Sequence, residues 1–172
     1  MGAKLYCTPL EVPARGDSAS SLASHTRAEL IVPQLQEQDA AGIIGELSRI
    51  LRQQGCIPDV LPFFQAALNQ ELLSNSSTGF GIAIAHARLA GVRQLQFALG
   101  RTRRPAVWGS KGWPVQLVFL LAVPATDAVG YLHLLSSLAR MGQTADVLAR
   151  LLAATSIAGV LAVLQEVEVR PA

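Results

Sequence analysis

The run VQLVFLLAV, Val115 to Val123, constrains the fold of this chain more than any other feature, because in nine consecutive residues only Gln116 is polar. A second apolar stretch runs from Leu151 to Leu164. Both fall short of the roughly 18 to 20 residues needed to span a bilayer, so both read as protein core and no membrane insertion is expected. An unbroken apolar run of this length suits a central strand covered on both faces. Such a strand calls for helices above and below it.

The rest of the chain supplies those helices. The 172 residues suffice for one domain with a substantial core, and half of them are apolar, which excludes a disordered chain. Residues 1–26 are rich in Ser, Ala, Pro and Gly without sustained period and read as a flexible leader to a domain over 27–170. Glu29 to Leu35 reads as a short strand, demoted to a sheet edge by Pro33. Asp39 opens a helix with Ile43, Ile44, Leu47, Ile50 and Leu51 on one face, closed by Gly55. Asp59 caps a second helix carrying Val60, Leu61, Phe64, Ala67 and Leu68. After the polar break SNSSTGFG come the strands IAIAHAR, QLQFALGR and the central run, then helices over 127–140, 144–153 and 156–167. The predicted fold is α/β, a mixed β-sheet sandwiched between helices on both faces.

Composition excludes several functions. A net charge of +2 without aromatics interleaved among Lys and Arg argues against a nucleic-acid partner. Cys7 and Cys56 have neither metal-ligand spacing nor a disulfide framework, and the first residues lack the apolar core of a signal peptide, so a cytoplasmic protein is expected. No metal or other cofactor is expected, since no Walker loop, catalytic triad or paired-carboxylate pattern is found.

The segment TGFGIAIAHAR, Thr78 to Arg88, carries the candidate chemistry. A period of two puts Ile82, Ile84, His86 and Arg88 on one face and Ala83, Ala85 and Ala87 on the other. Gly79 and Gly81 free the backbone to aim N–H groups at an anion. Histidine can take a phosphoryl group on one ring nitrogen while the other holds the proton. Arg88 is the best-placed cation, and Asn75, Ser76, Ser77 and Thr78 can donate to phosphoryl oxygens. Arg101, Arg103, Arg104 and Lys111 offer further positive charge. Trp108 and Trp113 flank GSKG as packed aromatics of a hairpin. His25 receives no role. From the residues alone, the simpler reading of His86 is a half-buried histidine closing a strand.

These segments resemble a known family, the enzyme IIA domain of the fructose/mannitol type of the bacterial phosphoenolpyruvate-dependent sugar phosphotransferase system, with its nitrogen-regulatory members. The resemblance covers about residues 28–168 and rests on GFGIAIAHAR, on GWPVQLVFLLAVP and on YLHLLSSLAR, in that order and spacing. It implies that His86 is the residue phosphorylated by a small histidine phosphocarrier protein. The group then passes to a transporter IIB domain or serves as a regulatory mark. The chain departs from the family pattern at Ala85, where the family has Pro, at Gln70, where an arginine precedes the Glu matched by Glu71, and at Tyr131, where the second active-site histidine falls. His133 lies two positions on, about 200° around a helix, and cannot replace it. Two further readings remain: a regulatory or interaction module with weak or absent phosphotransfer, and a soluble domain like the cytoplasmic part of anion transporters.

Overall fold

The computed structural model describes residues 20–171. Its sheet is mixed, with strands β1 (Ile31–Val32), β2 (Ile82–Leu89), β3 (Gln96–Trp108) and β4 (Trp113–Pro124) in the order β1-β3-β4-β2. β4 runs antiparallel to β3 and parallel to β2, while β1 runs parallel to β3. Helices α1 (Ala40–Gln53) and α2 (Val60–Ser74) precede β2, and α3 (Ala128–Gly142), α4 (Ala145–Ala153) and α5 (Ile157–Gln165) follow β4.

The central run behaves as its composition dictates. Val118, Leu120 and Ala122 of β4 enter one core with Ile43, Ile44, Leu47 and Leu51 of α1 and Phe63 and Ala67 of α2. Leu117, Phe119, Leu121 and Val123 enter the other with Leu134, Leu138 and Met141 of α3 and Val160, Val163 and Leu164 of α5. β2 obeys the same period: Ala83, Ala85 and Ala87 face the first core and Ile82 and Ile84 the second. The small alanine side chains leave room for α2, whereas the isoleucines fill space beneath α3.

The helix starts follow from local side-chain chemistry. Asp39 accepts from the Gly42 N–H at 2.9 Å, Asp127 from Gly130 at 2.9 Å and Ser156 from Gly159 at 3.1 Å, each satisfying a donor that a helix N-terminus leaves unpaired. Asp59 caps α2 through Leu61 N–H. The hairpin between β3 and β4 places Trp108 opposite Trp113, with Trp108 wholly buried.

Three elements differ from their sequence expectation. The strand expected over Glu29 to Leu35 shrinks to Ile31–Val32, because Ala28–Leu30 forms a 3-10 turn and Pro33 removes the next donor. β3 runs on to Trp108: pairing with β4 breaks after Arg101, resumes at Ala106 opposite Val115, and leaves the polar residues 102–105 as an irregularity between the two paired parts. Most of the expected leader, residues 1–19, lies outside the described residues, but Ser20 to Thr26 belongs to the fold. Leu22 is fully buried, its N–H donates to Val167 O at 2.8 Å, and Thr26 Oγ1 donates to Phe97 O at 3.0 Å. A single apolar residue among serines carries no period by which it can be recognised.

Phe119 lies at the middle of the second core, edge-on to Phe97 with centroids 5.5 Å apart. Phe119→Ala is expected to cost about 3–5 kcal/mol of stability, read from urea unfolding as a lowered midpoint with little change in slope.

Candidate active site around His86

β2 is an edge strand, so one flank of it is open to α2 and to the loop after α2. That loop begins at Asn75, whose left-handed backbone (φ 45°) turns the chain sharply at the end of α2. It then runs back along β2: Thr78 N–H donates to Ile82 O and Ile84 N–H to Ser76 O, both at 3.0 Å. A buried network pins it. The Glu71 carboxylate accepts from the Ser76 N–H at 3.1 and 3.2 Å and from the Ser76 hydroxyl, and Trp108 Nε1–H donates to Ser76 Oγ at 3.1 Å. A carboxylate on α2, a loop serine and an indole at the end of β3 therefore lock together beside His86.

His86 lies beyond the loop, half-buried, opposite Leu121 of β4. Its side chain shares the face of Arg88, as the strand period requires, and meets α3. Tyr131, on the first turn of α3, places its Oη 3.1 Å from His86 Nε2, with the two rings 4.9 Å apart and tilted by 41°. The Arg88 guanidinium carbon stands 5.5 Å from the Tyr131 ring centroid, within cation–π range. α3 approaches β2 closely at its other end, where a side chain on Gly142 would overlap Ile82.

Two hollows flank the histidine. One, of about 310 Å³, is lined by Ala66, Gln70, His86, Ala87, Arg88 and Tyr131. It brings together a cation, an amide and a phenol, a donor set suited to an anion. The other, of about 210 Å³ and mainly apolar, lies between the loop and α3. Burial lowers the His86 pKa from its ordinary 6.5, the nearby Arg88 charge lowers it further, and Glu71 opposes them. The ring is thus neutral at pH 7, the state in which one nitrogen keeps a nucleophilic lone pair. Burial raises the Tyr131 phenol above its ordinary 10, Arg88 opposing, so Tyr131 stays a neutral hydroxyl there.

The candidate residues do not all converge. Ser76 and Thr78 line the smaller hollow with His86, and Arg88 and Tyr131 line the larger. Ser77 pairs with Ala83 and, with Gly79, lines a separate cleft of about 1090 Å³ toward Lys111 and Trp113. Gly79 and Gly81 have positive φ as expected of a tight turn, but they form the tip of the hairpin, pointing away along β2 from His86. The turn needs them for its shape; they line neither hollow. Arg101 is taken up by the carbonyls of Pro33, Leu151, Leu152 and Ala154, closing the C-terminus of α4. Arg103, Arg104 and Lys111 are exposed and border neither hollow. His133 borders neither as well, as its helix position requires. Sequence reasoning missed Leu135 and Ala139, which come after Tyr131 at intervals of four and so share its helix face. It also missed the link from Glu71 through Ser76 to Trp108, for which no sequence spacing is diagnostic.

The sequence and fold are similar to those of known proteins. The family model described as phosphoenolpyruvate-dependent sugar phosphotransferase system, EIIA 2, matches residues 24–167. The fructose-specific EIIABC component of Bacillus subtilis is 32% identical over 71% of this chain, which covers 19% of that protein's length. The nitrogen regulatory protein of Bradyrhizobium diazoefficiens is 31% identical over 59% of this chain and 67% of its own. Among solved structures, nitrogen regulatory protein IIA-Ntr from Neisseria meningitidis superposes with a TM-score of 0.76 at 28% identity, over 83% of this chain and 98% of that one.

Two outcomes are expected of the site. Ser76→Ala leaves the Trp108 indole N–H without its acceptor and removes the hydroxyl donor to the Glu71 carboxylate, which keeps the Ser76 N–H, and should cost about 1–3 kcal/mol in urea unfolding. His86 should titrate by NMR with a midpoint below 6.5. Because its folded pKa is depressed, its contribution to stability is fully present above pH 6.5 and is lost as pH falls through the lower folded value.

Proposed function

The chain belongs to the EIIA 2 family of the phosphoenolpyruvate-dependent sugar phosphotransferase system, and from that membership we propose that His86 carries the phosphoryl group. One observation supports this above the rest: the His86 ring, neutral and half-buried, opens on a hollow lined by Arg88, Gln70 and Tyr131.

The donor in this reading is a phosphohistidine on a small histidine phosphocarrier protein. With its proton on Nδ1, His86 presents the Nε2 lone pair to phosphorus, and Tyr131 O–H donates to that nitrogen in the resting state. Nε2 bonds to phosphorus as the phosphorus–nitrogen bond of the carrier breaks, and the bonding pair returns to the carrier's ring nitrogen. The Nδ1 proton of His86 then leaves to solvent. Arg88, freed from the Tyr131 face, and the Tyr131 hydroxyl hold the oxygens of the transferred dianion. Ser76 and Thr78 serve from the smaller hollow by fixing the loop beside the ring. Gly79, Ser77 and Gly81 shape that loop without touching the phosphoryl group. The unit that acts is residues 27–170 with Leu22 sealing its core, and it works in the cytoplasm.

The group passes onward to a transporter IIB domain or marks the protein for a regulatory target. A second reading, an interaction module with weak transfer, is favoured by Gln70. This residue stands where the family arginine would, and its amide is engaged with Ser74 Oγ at 3.0 Å.

Mixing the protein with phosphoenolpyruvate, enzyme I and a histidine phosphocarrier should give an acid-labile adduct that vanishes in His86→Ala and survives in His133→Ala. Labelling that persists without His86 sinks the assignment. Gln70→Arg with Tyr131→His should speed transfer; one recovered transition-state contact of about 1.4 kcal/mol corresponds to about tenfold in rate. A folded double variant with an unchanged or slower rate shows that these positions do not limit transfer and points to a site built around Arg88 and the loop from Asn75 to Thr78.

A further inference from the structure

The fate of a phosphohistidine depends on the ring nitrogen that does not carry phosphorus. When the phosphorus–nitrogen bond breaks, its electron pair goes to the ring. With a proton already on Nδ1 the ring departs as neutral imidazole; without one it must depart as imidazolate, a far poorer leaving group. What surrounds Nδ1 therefore sets how long the adduct lasts.

Among the described residues, the hydrogen bonding of His86 consists of the contact between Nε2 and Tyr131, and no side chain accepts from Nδ1. The neighbours come from each packed element. α3 offers Tyr131, a hydroxyl that does not supply a proton near pH 7. α2 offers Glu71, whose carboxylate is already occupied by the Ser76 N–H and O–H. β2 itself offers Arg88, a permanent cation. The β4 neighbour is Leu121, which does not titrate. No free carboxylate stands by among the described residues to hold a proton on Nδ1, and a fixed positive charge discourages one.

We propose that a phosphohistidine formed at His86 is a long-lived mark, because among the described residues no side chain of the pocket stands ready to hold a proton on Nδ1 while the Arg88 cation lines the same hollow as the ring. This rests on His86 being the phosphoryl acceptor and concerns the fate of the group once it has been accepted. Arg88 acts twice in the same direction, since it opposes protonation of the ring and holds the dianion in its ground state. The burial and charge that lower the basicity of the free ring act on the adduct as well. The phosphoryl charge raises the basicity of the ring in folded and unfolded chains alike, so the difference between the two isolates the pocket.

The test uses the full chain and phosphoramidate, a small-molecule donor, so it needs no partner protein. Loss of the adduct at His86 is monitored by phosphorus NMR and by mass of the His86 peptide between about pH 6 and 9, in the folded protein and in urea. In hydrolysis, water bonds to phosphorus, the pair from the broken bond stays on Nε2, and the products are phosphate and neutral imidazole. The folded adduct should outlast the unfolded one severalfold near neutrality, because burial and Arg88 disfavour a proton on the ring in the pocket. Arg88→Gln should shorten the lifetime and move the midpoint of its pH dependence upward, while Arg88→Lys, which keeps the charge, should restore both. Equal lifetimes folded and unfolded, or an Arg88→Gln variant with unchanged lifetime and midpoint, overturn the proposal. So does labelling of His86 in urea but not in the folded chain. A long-lived chemical adduct in a protein that takes nothing from any phosphocarrier would sink the carrier reading and leave the stability of the mark standing.

Discussion

Burial of β4 on both faces is the constraint on which the rest of the structure depends. A strand whose side chains are apolar in both directions cannot stand at an edge or face water. β3 pairs with it on one side and β2 on the other, so β2 is left at the edge with one flank free. That free flank is where the loop after α2 folds back and where Glu71, Ser76 and Trp108 interlock. The site is thus a consequence of packing: the histidine occupies the last part of an edge strand that the core holds rigidly through Ile82 and Ile84.

The helices divide the remaining labour. α3 brings a neutral hydroxyl onto Nε2, α2 brings an amide and an occupied carboxylate, and β2 contributes its own arginine. The groups come from three elements, and these are tied by contacts outside the site, such as the close approach of Gly142 to Ile82.

Much of this was legible in the sequence, for identifiable reasons. The alternation in IAIAHAR fixed which side of the strand His86 and Arg88 share, and aspartate caps marked the starts of α1 and α2, because both signals are local. The closing helices were bounded to within a few residues for the same reason. Non-local facts were not legible. The burial of Leu22 depends on a partner at Val167, and β3 extends past its polar residues only because Ala106 to Trp108 find partners on β4. The glycines misled in a specific way: their positive φ was real, but the hairpin they allow carries them away from the histidine. Arg101 looked like spare charge and is committed to the end of α4, a role set by a chain segment 50 residues distant.

The central assignment is that phosphorus bonds to Nε2 of His86, the nitrogen facing Tyr131 and the hollow that Arg88 lines. Nitrogen–phosphorus correlation NMR on the phosphorylated protein with nitrogen-labelled histidine measures this directly. A single phosphorus signal correlated to Nε2 of His86, with Nδ1 free of phosphorus, is the predicted result. Correlation to Nδ1 of His86, or to a nitrogen of His25 or His133, would contradict it.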